Sequence, residues 1–215
     1  ELDAVWQDGG VRYCLEQGVA VNVGSLTELD RFGQLAPAGR VAVRLNPDVG
    51  AGAHRYVITG GADSKFGIYV NQDDAIREVL KRHKLNLIGV HAHIGSGILR
   101  TDDMLLAMQV TLEAARQFPA LEFIDFGGGF GIPYRPGEKP LPLEELGSAM
   151  CELFEDFRKT YGKSLRMKLE PGRFLIAQAG TLLARVTSVK STPAHTFVGT
   201  DSGFNHLIRP AFYGS

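Results

Sequence analysis

Leu165-Arg166-Met167-Lys168-Leu169 runs directly into Glu170-Pro171-Gly172-Arg173. The first five residues read as a short strand. The proline stops it, because its ring removes a ladder donor, and an acid and an arginine are left at the turn. Four more polar clusters sit where apolar strands stop: Asn46-Pro47-Asp48, His91-Ala92-His93-Ile94-Gly95-Ser96, Asp125-Phe126-Gly127-Gly128-Gly129-Phe130-Gly131, and the run from Asp201 to Tyr213. Polar groups gathered at successive strand ends are what the mouth of a β/α barrel requires.

Outward from these clusters, helix and strand patterns alternate. Residues 1–17 read as a helix broken at Gly18, followed by a strand over 19–23. Ser25-Leu26-Thr27-Glu28 is a capping box, with hydroxyl and carboxylate placed to satisfy helix-start amides, and opens a helix to about Leu35. Residues 41–45 form the next strand. After an irregular stretch, residues 73–84 carry Ile76, Val79 and Leu80 on one helical face. A strand over 85–90 enters His91. Thr101 is expected to cap a helix that stops before Pro119. A strand over 121–126 enters the glycines, and Leu143, Leu146, Met150, Leu153 and Phe157 recur at helical spacing. About five such units predict parallel βαβ connections.

From Thr181 the pattern changes to β-branched alternation over 181–190 and again over 196–199, with no helix between. The expected fold is therefore α/β: a partial (β/α)8 TIM-type barrel over residues 1–180, truncated on its N-terminal side, with residues 181–215 crossing into a C-terminal antiparallel β-domain. A closed barrel of this type usually needs about 250 residues. The chain has 215 and starts on a helix, so the reading expects an internal piece of a longer protein.

Composition narrows the function classes. Hydrophobic content of 44% with 22% charged residues fits a soluble domain, and a formal net charge of −1 gives no basic surface for nucleic acid or an anionic membrane. No apolar run reaches the ~20 residues a membrane span needs. Two cysteines, Cys14 and Cys151, lie in predicted helices without metal-ligand spacing, which suggests a reduced, cytoplasmic chain with both thiols in the core.

The clusters carry several chemistries. Consecutive glycines at 127, 128 and 129 let backbone amides approach an anion closely, although glycine-rich turns are often only turns. Glu170 can pair with a protonated ring nitrogen, and Arg173 can fork onto a carboxylate or phosphate. A surface Arg–Glu pair is the plain alternative. His91 and His93, two apart, point the same way in a strand and suggest a metal, but no third ligand at suitable spacing accompanies them. A stacked imidazole, or for His91 a satisfied core histidine, remains open. Arg209 and Tyr213, four residues apart, offer a cation and a phenol.

Taken in order, the clusters, together with Arg44-Leu45-Asn46-Pro47-Asp48, Ser64-Lys65-Phe66-Gly67 and Gly89-Val90-His91, resemble the fold-type III pyridoxal 5′-phosphate (PLP) decarboxylases, and within them the branch that decarboxylates meso-2,6-diaminopimelate to L-lysine. The resemblance implies an enzyme, a carboxy-lyase of amino-acid biosynthesis with PLP as cofactor. In it His93 stacks on the PLP ring and Glu170 pairs with the pyridine nitrogen. Ser96, Gly127, Gly128, Gly129 and the backbone around Pro171, Gly172 and Arg173 hold the phosphate. Arg173, Arg209 and Tyr213 bind substrate carboxylates. It further implies that the lysine bound covalently to PLP precedes Glu1, that an acid–base cysteine follows Ser215, that the fragment alone is inactive, and that a homodimer completes the site. Relatives acting on ornithine, lysine or arginine, or a secondary-metabolite amino acid, and a non-catalytic barrel, are the alternatives. A cation at Arg209 argues against the simple diamine producers, and the intact Glu170, Arg173, His93 and glycines argue against decay.

Overall fold

The computed structural model describes residues 7–52 and 57–213, the side chain of Tyr213 excepted. Six strands, β1 (Val21–Val23), β2 (Arg40–Asn46), β3 (Ile68–Tyr69), β4 (Asn86–Ala92), β5 (Phe123–Asp125) and β6 (Arg166–Lys168), form one sheet. Its order is β1-β2-β4-β5-β6, with β3 added to the end of β2, and every pairing is parallel. Helix α1 (Asp8–Glu16) precedes β1, and four helices carry the chain between strands: α2 (Leu26–Leu35), α3 (Asp73–His83), α4 (Thr101–Ala115) and α5 (Leu143–Tyr161). This is the strand-and-helix alternation of a partial (β/α)8 barrel, as expected.

The two faces of the sheet differ. Val41, Val43, Leu87, Val90 and Ile124 pack outward against Leu29, Phe32, Ile76, Met108, Leu146 and Phe157 of the helices, forming one continuous core. A smaller buried group comprises Ala42, Ile88 and Phe123. Beyond it toward the strand ends, Arg44, Asn46, His91 and Asp125 are buried polar residues. Register puts Arg44 beside His91, and His91 beside Asp125. Four polar side chains at neighbouring strand ends thus replace the apolar filling exactly where a barrel opens, at the C-terminal ends of its strands.

Local chemistry explains most boundaries. Ser25 Oγ accepts the Glu28 amide at 3.1 Å, and Glu28 Oε2 accepts the Gly24 amide at 2.7 Å, one residue outside the expected position. α3 ends on Lys84 in the left-handed conformation, φ 56°. Thr101 is not the cap of α4. It is the first helical residue, Arg100 occupies the cap, and no side chain bonds there. The thiols also depart from expectation: Cys14 is partly buried against the core, whereas Cys151 is exposed on α5. Residues 1–6 of the first expected helix lie outside the described residues.

Past β6 come a four-residue helix, α6 (Arg173–Ile176), and an antiparallel hairpin of β7 (Val186–Ser191) and β8 (Thr196–Thr200), which forms its own sheet. The first hairpin strand begins at Val186 rather than Thr181. A short helix, α7 (Arg209–Tyr213), closes the described chain. Among the described residues no helix is long and apolar enough to cross a membrane.

Candidate active site

The strand ends converge through short contacts. The Glu170 amide donates to Gly127 O at 2.8 Å, tying the turn after β6 to the glycines after β5. The Gly128 amide donates to His93 Nδ1 at 3.0 Å, tying the same glycines to the residue after β4. Arg173 Nη2 donates to Ser96 Oγ at 2.9 Å, bridging α6 to the loop after β4. Glu170 and Arg173 do not pair with each other. The acid instead meets His91, Nε2 to Oε2 3.4 Å, and the arginine turns to Ser96.

The glycines are needed chiefly for closeness of backbone. A Cβ on Gly128 would lie 2.1 Å from Glu170 O, and one on Gly129 would lie 2.3 Å from Gly95 O. Gly127 and Gly129 also adopt φ of 66° and 90°, which side-chain-bearing residues rarely adopt. Two of the three amides are already used: Gly127 donates to Asp125 Oδ1 at 2.9 Å and Gly128 to His93. The Gly129 amide has no protein acceptor among the described residues. Gly128→Ala is therefore expected to force β5 and β6 apart at their ends and to destabilise the protein by about 1–3 kcal/mol. A urea titration checks this, and an unchanged midpoint would contradict the crowding.

Electrostatics sort the titratable groups. Burial holds the His93 imidazole below its usual pKa, helped by the positive charge of Arg44 and by His91. It is therefore neutral at pH 7, and because Nδ1 accepts from Gly128, its proton is on Nε2. The hydrogen bond from His91 is the main influence lowering the Glu170 pKa; burial opposes it, and His93 and Arg44 assist. Asp125 is raised by burial, against the Gly127 amide that lowers it. The two carboxyl groups are thus shifted in opposite directions.

His91, Asp125 and Glu170 offer ligand atoms within 4.8 Å of one another. The sequence showed no third ligand near the histidines, because Asp125 and Glu170 are brought in from two other strands. Arg209 lies with its guanidinium 4.6 Å from the Tyr134 ring centre, and Arg173 approaches the same ring at 5.9 Å. Tyr134, Asn22 and Arg44 were not singled out as site residues. Arg44 carried a readable signal, a charge inside Val41-Ala42-Val43-Arg44-Leu45, and it is 3% exposed with Nη2 3.4 Å from His93 O. Tyr213 ends α7, and its side chain lies outside the described residues.

A phosphorylated aromatic cation suits this donor set. Arg173 Nη1 is buried without a hydrogen-bond partner, beside a nitrogen held by Ser96, which makes a half-used guanidinium fork for an anion. An ionised carboxylate stands at Glu170, and a pinned, neutral imidazole stands at His93. Fold and site together define a barrel protein built to hold a small ring with an anionic ester at one end and a basic nitrogen at the other.

The chain belongs to the pyridoxal-dependent decarboxylases: residues 4–177 match the family described as pyridoxal-dependent decarboxylase, pyridoxal binding domain. It is 43% identical over 216 residues to the diaminopimelate decarboxylase of Methanothermobacter thermautotrophicus, covering 97% of this chain and 50% of that protein. A crystal structure of diaminopimelate decarboxylase superposes with a TM-score of 0.88 at 37% identity, over 99% of this chain and 50% of the other. The Helicobacter pylori enzyme, complexed with L-lysine, gives a TM-score of 0.84 at 28% identity, over 97% and 53%. The chain spans about half the length of the curated relatives it matches.

Proposed function

We propose that this chain is the cofactor-binding part of a PLP-dependent decarboxylase converting meso-2,6-diaminopimelate to L-lysine and carbon dioxide. One observation carries the reading: Glu170 and the glycine bend touch, through the 2.8 Å bond from the Glu170 amide to Gly127 O. A single ring can therefore meet an acid at its nitrogen and an anion seat at its ester. The 43% identity to a diaminopimelate decarboxylase favours this substrate.

When bound, PLP supplies an electron sink for the pair of electrons left by carbon dioxide. The chain's own residues bind and orient. Glu170 keeps the ring nitrogen protonated by standing beside it as an anion. His93, neutral and fixed by Gly128, would stack on the ring. Ser96, Arg173, the glycines at 127, 128 and 129, and the backbone of Pro171 and Gly172 seat the phosphate, with the Gly129 amide and Arg173 Nη1 as its open donors. Arg173, Arg209 and Tyr213 receive substrate carboxylates. A distal carboxylate calls for a guanidinium fork, which Arg209 offers.

The reading extends to a cytoplasmic homodimer whose partner completes the site, to residues 1–180 as the cofactor-binding barrel, and to residues 181–215 as the start of a β-domain. Supporting this boundary are the separate β7–β8 sheet and the family match ending at residue 177. The test is carbon dioxide release by the full-length protein from diaminopimelate, ornithine, lysine and arginine. Release from diaminopimelate alone is expected, and preference for one of the others overturns the substrate.

A further inference from the structure

We propose that His91, held by Asn22, is a positioning residue that aims the Glu170 carboxylate at the cofactor's ring nitrogen and keeps the proton on that nitrogen rather than on the acid. The inference rests on Glu170 serving the ring nitrogen, as proposed above.

The geometry is a line of three side chains, from two strands and from the turn that follows β6. Asn22 Nδ2 lies 3.2 Å from His91 Nδ1, and His91 Nε2 lies 3.4 Å from Glu170 Oε2. The His91 side chain is 4% exposed, whereas that of Glu170 is 44% exposed. The ring is thus locked by packing, while the carboxylate it faces has room to turn away. Asn22 comes from β1 and His91 from β4, with β2 between them, so the contact exists because the curved sheet brings its inner side chains across.

The orientation of the Asn22 amide decides which His91 nitrogen carries the hydrogen. With the nitrogen facing Nδ1, that atom accepts, and the neutral ring carries its hydrogen on Nε2. With the oxygen facing Nδ1, that atom donates instead, and a neutral ring turns the lone pair of Nε2 toward the carboxylate, so the first arrangement suits the acid. The second arrangement gives Asn22 Oδ1 a partner; as placed, that buried oxygen has none. With its hydrogen on Nε2, His91 faces one oxygen of Glu170 at 3.4 Å and leaves the other for the ring.

A donor at Oε2 makes the carboxylate a weaker base, consistent with the lowered Glu170 pKa, to which His91 contributes most. A proton shared with the ring nitrogen then rests on nitrogen. The other groups around this acid are Arg44 on β2, His93 after β4, Asp125 on β5 and, acting on Asp125, Lys168 on β6. Arg44 and His93 favour the anion. Asp125 opposes it, with its own pKa raised by burial.

The probe is 4′-deoxypyridoxine 5′-phosphate labelled with nitrogen-15, which lacks the aldehyde and so binds without a covalent bond. The full-length protein is titrated with pH, and the ring-nitrogen resonance is followed. In His91→Phe the midpoint for loss of the ring proton is expected to fall by about one pH unit, a tenfold change in proton affinity. His91→Gln keeps a donor and should restore most of that shift. Asn22→Ala, which leaves Glu170's surroundings intact, should give a smaller fall and serves if His91→Phe does not fold. Glu170→Gln is the control: a midpoint unmoved there removes the reading of Glu170 itself. A midpoint moved by Glu170→Gln but not by His91→Phe, or moved equally by Phe and Gln at position 91, overturns the role of His91 alone.

Discussion

Glu170→Ala in the full-length protein is expected to retain PLP and to lose about two to three orders of magnitude in kcat, the size typical of deleting one preorganised electrostatic partner. Retention follows from the separation of duties in the site. The proposed phosphate seat consists of Ser96, Arg173 and the glycines, whose hydrogen bonds do not pass through the Glu170 side chain. Loss of rate follows from the ring nitrogen. Without the anion that Glu170 is proposed to supply, the nitrogen would hold its proton less tightly and the ring would be a poorer electron sink. The main structural cost is a buried His91 Nε2 facing no carboxylate, worth about 1–3 kcal/mol, which a thermal melt measures separately. Because His91 lowers the Glu170 pKa, the wild-type acid stays ionised to lower pH than an ordinary glutamate, and its contribution to rate disappears only as pH falls through that lowered value. Full turnover in Glu170→Ala with PLP bound would falsify the electron-sink assignment.

The parts of this site that were legible in the sequence are those encoded locally. Strand periodicity followed by a breaker placed Glu170 after β6 and the glycines after β5. The alternation of helix and strand indicated a parallel sheet, which β1, β2, β4, β5 and β6 realise. Strand limits were read one or two residues too long at 121–126 and 165–169, because apolar character continues past the last ladder bond. β3 was missed since two residues carry no period. Thr101 looked like a cap because caps and first-turn residues share composition; only the backbone distinguishes them. The rest depended on register. Nothing near His91 announces Glu170 or Asp125 as its neighbours, since these come from other strands through the pairings of His91 with Asp125 and Asp125 with Lys168. Likewise the glycine motif read as an anion nest, but two of its amides serve Asp125 and His93, so the motif also locks the site's own side chains.

Arg209→Ala is expected to weaken diaminopimelate by about 10- to 100-fold while changing the affinity for lysine by less than about threefold. A hydrogen-bonded charge pair is worth about 1.5–3 kcal/mol, and each 1.4 kcal/mol is tenfold. Lysine differs from diaminopimelate by the carboxylate that Arg209 is proposed to receive, so the ratio of the two effects isolates that contact. The guanidinium also stacks 4.6 Å from the Tyr134 ring, a cation–π contact of about 0.5–1 kcal/mol at an exposed site. Losing it would disturb both ligands alike and cancels in the ratio. Arg209→Lys keeps the charge but not the planar fork, and should fall between Ala and wild type for diaminopimelate. Isothermal titration of both amino acids against the three full-length proteins reads the result directly. Equal weakening of both ligands would move the distal-carboxylate site away from α7.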